Sequence, residues 1–168
     1  WLEVTMINPS VILAAADGLR SSSRFFGYAW GEHLFYTDYP VSYVGARDVA
    51  EMLFRVMQSK SNGEKFIANS GQVGVGELLS RIAQRLKKRP PSIKVGNKML
   101  DAVVFAEYIR HLLTGAKPAL TRQSVMLLRE SVSYDNSKAV KELGMSFRSL
   151  DDTLDWCCSE FLNFTTNK

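Results

Sequence analysis

The sequence predicts an α/β fold, with parallel strands joined by helical crossovers and a mostly helical lobe after them. Three observations carry this. The first hydrophobic run, residues 4–13 (VTMINPSVIL), is rich in β-branched and aliphatic residues and suits a strand buried on both faces. A second such run, GEKFIANS, gives a strand over Glu64–Ser70. Between them, a stripe of Val49, Leu53, Val56 and Met57 at helical spacing predicts a helix from Asp48 through Gln58, with Asp48 as its N-cap. Strand, crossover helix and strand is the order a parallel sheet requires.

Within the first run, Pro9 has no N–H to donate and belongs at the C-terminal end of the strand or just beyond it. In an open α/β sheet that end is where ligands bind. A core strand with a terminal proline and a strand end facing a cofactor are both consistent with these residues. Next come Ala14-Ala15-Ala16-Asp17-Gly18, which read as a tight turn or close-packed crossing. Ser22 or Ser23 then caps a helix from Arg24 to about Gly31, with Phe25, Phe26, Ala29 and Trp30 on its apolar face. Serines at such a helix start can also donate to a phosphate.

Two short extended pieces, Leu34–Thr37 and Val41–Val44, are interrupted by Pro40 and expected outside the main sheet. After the Glu64–Ser70 strand, a helix from about Val75 to Lys88 buries Leu78, Leu79, Ile82, Ala83 and Leu86, and Pro90-Pro91 stops it. Its Gly74-Val75-Gly76 start lacks the third glycine of a dinucleotide fingerprint and reads as a turn before a helix. Ser92–Val95 is extended, and Asn97 is placed to cap a hydrophobic helix to about Thr114, ended by Gly115 and Pro118. Thr121 caps a helix over Arg122–Glu130, and Ser131–Asp135 is extended. Asp135 or Asn136 caps a short helix closed by Gly144, and Ser149 with Asp152 forms an acidic capping box for a last helix from Leu150 to about Phe164.

Composition narrows the function. The 168 residues are 46% hydrophobic and 23% charged, as in an ordinary single globular unit. A net charge of +4, with the densest basic run at Lys87-Lys88-Arg89 and no interleaved aromatics, argues against nucleic-acid binding. No apolar run is long enough to span a membrane. Cys157 and Cys158 are adjacent on a helix, which is neither a disulfide framework nor a metal spacing. They read as packing residues of a protein in a reducing, cytoplasmic compartment. His33 and His111 form no metal-binding pattern. The chain begins at Trp1 inside what reads as an element, so a piece of a longer polypeptide is expected.

Four segments, read together, carry a resemblance: INPSVIL (Ile7–Leu13), YVGARDVAEMLFRVM (Tyr43–Met57), GEKFIANSG (Gly63–Gly71) and YDNSKAVKELG (Tyr134–Gly144). In order and spacing the chain resembles the C-terminal half of extended short-chain dehydrogenases/reductases. These are NAD-dependent epimerase/dehydratase-type proteins, and the dihydroflavonol-reductase-like branch looks nearest. The resemblance implies the C-terminal part of a Rossmann-like NAD(P)-binding fold, its last parallel strands carrying a mostly helical substrate-binding lobe as one unit over 1–168. It implies NAD or NADP as cofactor in a complete protein, and a small-molecule substrate with a hydroxyl or carbonyl carbon, nucleotide sugars included. A non-catalytic, degenerate family member serving as an interaction or cofactor-sensing module is the alternative.

By the same resemblance, Asn8, Pro9, Ser10 and Val11 line the nicotinamide side of the cleft, and Ser22 and Ser23 approach the cofactor or substrate edge. Arg24, Tyr36 and Tyr43 fall where this half builds the substrate pocket, and Asp48 resembles a structural aspartate. The glycine loop and the catalytic tyrosine–lysine pair of such enzymes belong to an N-terminal Rossmann half. Tyr134 and Lys138 have the pair's spacing but straddle a helix start, where they cannot share a helical face. They are not read as catalytic. Two departures stand out: Ala14-Ala15-Ala16 where the family has glycines, and Gly45-Ala46 where it has an aspartate. A missing half also implies an exposed sheet edge and apolar faces, hence self-association or a covering partner.

Overall fold

A computed structural model describes residues 4–14, 22–59, 62–102, 105–106 and 133–166. The expected helix over Arg122–Glu130, most of the one after Asn97, and the turn at Ala15-Ala16-Asp17 lie outside the described residues. The elements are β1 (Met6–Pro9), β2 (Val11–Leu13), α1 (Ser23–Trp30), β3 (Phe35–Tyr36), β4 (Pro40–Gly45), α2 (Ala46–Gln58), β5 (Lys65–Ala68), β6 (Gly71–Gly74), α3 (Val75–Arg85), β7 (Ile93–Lys94), α4 (Ser137–Leu143) and α5 (Leu150–Thr166). Residues 97–102 are also helical.

The strands form three small sheets. β1 pairs in parallel with β5, from Met6 opposite Lys65 to Pro9 opposite Ala68. β4 lies between β2, which it pairs in parallel, and β6, which runs antiparallel to it. β3 and β7 make a parallel ribbon. Helices pack on these sheets around two cores. One gathers Leu13, Phe26, Tyr43, Leu78, Ile82, Leu154 and Phe161; the other gathers Val44, Met52, Phe66, Ala68, Ala139 and Leu143.

Several expectations are corrected. The run 4–13 is not one doubly buried strand. It breaks at Ser10, whose N–H still reaches Ala68 O at 3.0 Å, while Val11 turns to pair with Tyr43 of another sheet. Met6, Asn8 and Pro9 are exposed, because β1 pairs with β5 alone among the described strands, and Val11 is exposed on β2, the edge of its sheet. The Val41–Val44 piece is not peripheral: it lies within β4, the centre of the three-stranded sheet, and Ser42 through Gly45 are buried. The stretch Gly71–Gly74 forms β6, which glycine-rich composition hid.

Helix starts shift in the same way. α2 begins at Ala46 with Gly45 as N-cap, so Asp48 sits inside the first turn, fully buried, and does not cap. The buried side of α2 centres on Asp48 and Met52, one turn apart, whereas Leu53 and Met57 are 50% and 83% exposed. Asn97 does not cap either. Leu100 N–H bonds Gly96 O at 3.0 Å, and the Asn97 side chain accepts the Tyr39 hydroxyl at 2.6 Å. The last helix starts as expected, with Asp152 N–H on Ser149 Oγ at 3.1 Å, and Gly144 closes α4 in the left-handed conformation that glycine favours.

Cys157 and Cys158 are buried in the first core, and Cys157 Sγ faces Leu13 O. Burial pushes the Cys158 thiol up to about 12, so little thiolate forms near neutrality. Neither cysteine of the folded chain is expected to react with a chromogenic disulfide reagent at pH 8, whereas both react in urea. Rapid native-state reaction would contradict the packing role.

Candidate functional site

The candidate site lies at the C-terminal ends of the parallel strands, where β1 ends beside β5 and β2 leaves toward β4. Asn8 and Pro9 stand exposed there, Val11 is 37% exposed, and Ser10 is half-buried with its hydroxyl on Ala68 O at 3.3 Å. The strand pairing brings Ser22 and Ser23 to the same place, since the Ser22 hydroxyl donates to Ile12 O. The side chain of Ser22 thus ties α1 to β2 instead of capping α1, and both serines are buried. Arg24, one residue on, is exposed.

The two tyrosines separate. Tyr43 lies opposite Val11 in register, close to the strand ends, but its ring is buried in the first core at 6% exposure. Burial also pushes its phenol above the ordinary range. Tyr36 lies on the β3–β7 ribbon, its ring against Gly76 so closely that a Cβ there would run into it. Ser22 is therefore tied to β2 one residue beyond Val11, Ser23 and Arg24 follow it at the start of α1, Tyr43 lies opposite Val11 and Tyr36 is on a different sheet.

Two polar clusters form around Asn69 and Ser70, just beyond the end of β5, and sequence reasoning missed both. Asp48 accepts from the Arg148 guanidinium, from Arg148 N–H at 3.2 Å and from Ser70 Oγ at 3.4 Å. Arg148 also reaches Glu51, and Glu51 pairs with Arg55, whose Nη1 caps the end of α4 on Leu143 O at 2.9 Å and Gly144 O at 2.7 Å. This confirms Asp48 as structural while changing its role from cap to buried ion-pair anchor. In the second cluster, Asn69 Nδ2 donates to Tyr134 O at 3.1 Å, and Asn136 Nδ2 donates to Asn69 O at 2.6 Å. Only the identity of Asp48 hinted at the first cluster; its distant partner, Arg148, carried no local signal.

Lys138 is tied to Glu64 and lies 5.2 Å from the Phe66 ring centre, and Tyr134 is used through its carbonyl. The hydrogen bond to Glu64 holds the Lys138 ammonium above its ordinary range. The two residues thus engage different partners, with the start of α4 between them. Among the described residues no cluster of acidic, histidine and cysteine side chains could hold a metal ion, and no helix is long and apolar enough to cross a membrane.

The hydrogen bond from Arg55 holds the Glu51 carboxyl below its ordinary range, and those from Arg85 and Arg81 do the same for Asp151. A carboxylate depressed by folding stabilises above its unfolded pKa, and that contribution is lost as pH falls through the folded one. The urea midpoint is therefore expected to hold from neutral pH to about pH 5 and to fall below the ordinary carboxylate range. In Glu51→Gln the fall should be shallower. A midpoint that rises on acidification would contradict these pairings.

No protein-family model matches the sequence, and no curated protein matches it. Solved structures do. The gox2253 crystal structure matches with a TM-score of 0.75 at 22% identity, over 95% of this chain and 48% of its own. A nucleoside-diphosphate-sugar epimerase from Pseudomonas aeruginosa matches at 0.69 and 22%, over 98% of this chain and 49% of its own. The Bordetella bronchiseptica enzyme WbmH, solved in complex with NAD+, matches at 0.59 and 14%, over 96% and 46%. This chain carries the fold of part of these proteins. It spans about half of their length.

The fold this chain shares with them is mixed α/β, with parallel strand pairs and helices, as expected at that level. The structure also bears on the two departures. A Cβ at Gly45 would meet Thr153 Cγ2 and Oγ1 at 3.2 Å, so the absent side chain lets α5 approach the start of α2. Ala14 is half-buried at the end of β2, and Ala15 and Ala16 lie outside the described residues.

Proposed function

We propose that this chain is the substrate-binding half of an NAD(P)-dependent oxidoreductase or epimerase/dehydratase. Its substrate would be a small molecule, a nucleotide sugar among the candidates, reacting at a hydroxyl or carbonyl carbon. The observation that supports this best is the match of nearly the whole chain to about half of a nucleoside-diphosphate-sugar epimerase. The cofactor, NAD or NADP, supplies hydride exchange with the substrate carbon when the complete protein binds it. The acid/base pair belongs to the other half, so the isolated chain is inactive.

Of the glycine-led helix starts among the described residues, that of α2 is closed by Thr153 and that of α3 by Asp38 and the Tyr36 ring, while Gly96, ahead of helical residues 97–102, has open space around it. What the chain offers a nicotinamide is a strand end: the exposed Asn8 and Pro9, with Ser10 and Val11. Ser22 and Ser23 position that edge from beneath, and Arg24 and Tyr36 are the proposed polar contacts for substrate, with Tyr43 supporting Val11 from the core. The two buried cysteines suit a reducing, cytoplasmic compartment. Self-association is proposed through the outward face of α2, where Leu53, Phe54 and Met57 are 50%, 60% and 83% exposed.

The departures at Ala14-Ala15-Ala16 and Gly45 favour a second reading, a non-catalytic module that senses cofactor or binds a partner. Titration of the isolated chain and of the native gene product with NADH, followed by turnover of a carbonyl substrate panel, separates the two. The enzyme reading expects no binding by the chain alone, and binding with hydride transfer by the gene product. Binding without transfer across the panel would instead favour the sensor.

A further inference from the structure

We propose that Asn62 is a site of spontaneous deamidation, held in check by Val4 and released when the start of the β1–β5 sheet opens. Asn62-Gly63 is the single Asn-Gly pair in the chain. In this reaction the backbone nitrogen that follows an asparagine loses its proton to solvent base and attacks the side-chain amide carbon. A C–N bond forms, the amide nitrogen takes up a proton and leaves as ammonia, and a succinimide remains. Water then adds to either imide carbonyl and breaks that carbonyl's bond to nitrogen, which leaves aspartate or isoaspartate. The nitrogen must come close to the amide carbon, and a residue without a side chain hinders that least. Both residues are exposed, Gly63 has φ 75°, and nothing lies within 4 Å of the place its Cβ would take, so base and water reach the reacting atoms.

Val4 engages both reacting groups. Gly63 N–H, the nucleophile, donates to Val4 O at 2.9 Å. Asn62 Oδ1, on the amide to be attacked, accepts Val4 N–H at 3.3 Å. While these bonds stand, the nitrogen keeps its proton and the amide stays turned toward Val4. Val4 is 53% exposed and lies just ahead of β1, so both bonds open in local fluctuations that leave the cores intact. The other asparagines among the described residues lack this combination. Asn8 precedes Pro9, whose nitrogen has no proton to lose. The Asn69 and Asn136 side chains are committed to Tyr134 O and Asn69 O, Asn97 holds the Tyr39 hydroxyl, and Asn163 lies within α5 ahead of Phe164. The product places a new carboxylate two residues from Glu64, which pairs with Lys138. In the isoaspartate form the main chain runs through the former side chain, and Gly63 N–H leaves its register with Val4 O. The modification therefore unpins the start of β1 while Ser10 keeps its bond to Ala68.

Peptide mapping by mass spectrometry tests this, on the whole chain aged at pH 8 beside a free peptide of residues 59–66. Acid should appear at 62 ahead of every other asparagine, and about tenfold or more slowly than in the peptide. Val4→Pro removes the N–H on Asn62 and keeps the Val4 carbonyl. With an unchanged urea midpoint it should speed the reaction severalfold, and no acceleration would contradict the check. Amide exchange at Gly63 in the unaltered chain reads the same check without a substitution, and slowing there relative to the peptide is expected. A Gly63 amide that exchanges as fast as in the peptide, or equal deamidation rates in chain and peptide, would overturn the role of Val4. Another asparagine reacting first, or a folded chain still intact at 62 long after the peptide is converted, would overturn the site.

Discussion

Arg148→Ala is expected to destabilise the chain by about 3 kcal/mol, with loss of the α2–α5 junction beneath the candidate site. Asp48 is wholly buried, and the guanidinium is its charged partner, supported by one backbone N–H and the Ser70 hydroxyl. Removing the cation leaves a desolvated carboxylate with two neutral donors, and that residue of charge is the source of the loss. Arg148 itself is about one-third exposed, at 32%, so water offsets part of the cost on its side, which places the effect at the lower end of the range for buried pairs. Asp48→Asn combined with Arg148→Ala should recover much of the loss, because the stranded charge is gone. Urea unfolding of the three variants measures this. A loss below about 1 kcal/mol in Arg148→Ala would show that the pair behaves like a surface ion pair.

Phe26→Ala is expected to cost about 3–5 kcal/mol and to loosen α1. The Phe26 ring is fully buried and stacks at 6.0 Å on Phe161, while the Trp30 ring meets Phe161 at 5.9 Å. These contacts anchor α1 to α5, and α1 carries Ser23 and Arg24 with Ser22 at its start. Proteolysis should therefore cut first near residues 22–31, before the β1–β5 unit is attacked. A stability loss near 1 kcal/mol, or first cleavage within α5, would contradict this anchoring role.

What the sequence disclosed follows from the range of the forces involved. Local signals placed well: the Ser149 cap, the Gly144 stop, the apolar face of α3 and the strand around Phe66 all depend on neighbours a few residues away. Failures came where distant chain decides. β4 looked like a short strand piece outside the main sheet until β2 and β6 closed on either side of it, and Leu53 and Met57 looked like core until Asp48 and Met52 took the inner face. Asp48 read as a cap because its partner, Arg148, is a hundred positions away. Near the candidate site, the strand end at Pro9 was legible because proline lacks an N–H to donate, whereas Asn69 was silent because its role is to clasp Tyr134 and Asn136.

The central claim, that this chain is one half of a cofactor-dependent enzyme, is tested most directly by the intact mass of the native gene product. The account predicts about twice the 18.9 kDa of this chain, in keeping with matches that span 46–49% of the solved structures. A native product of 18.9 kDa would contradict it, and the open edge of β1 would then need another occupant.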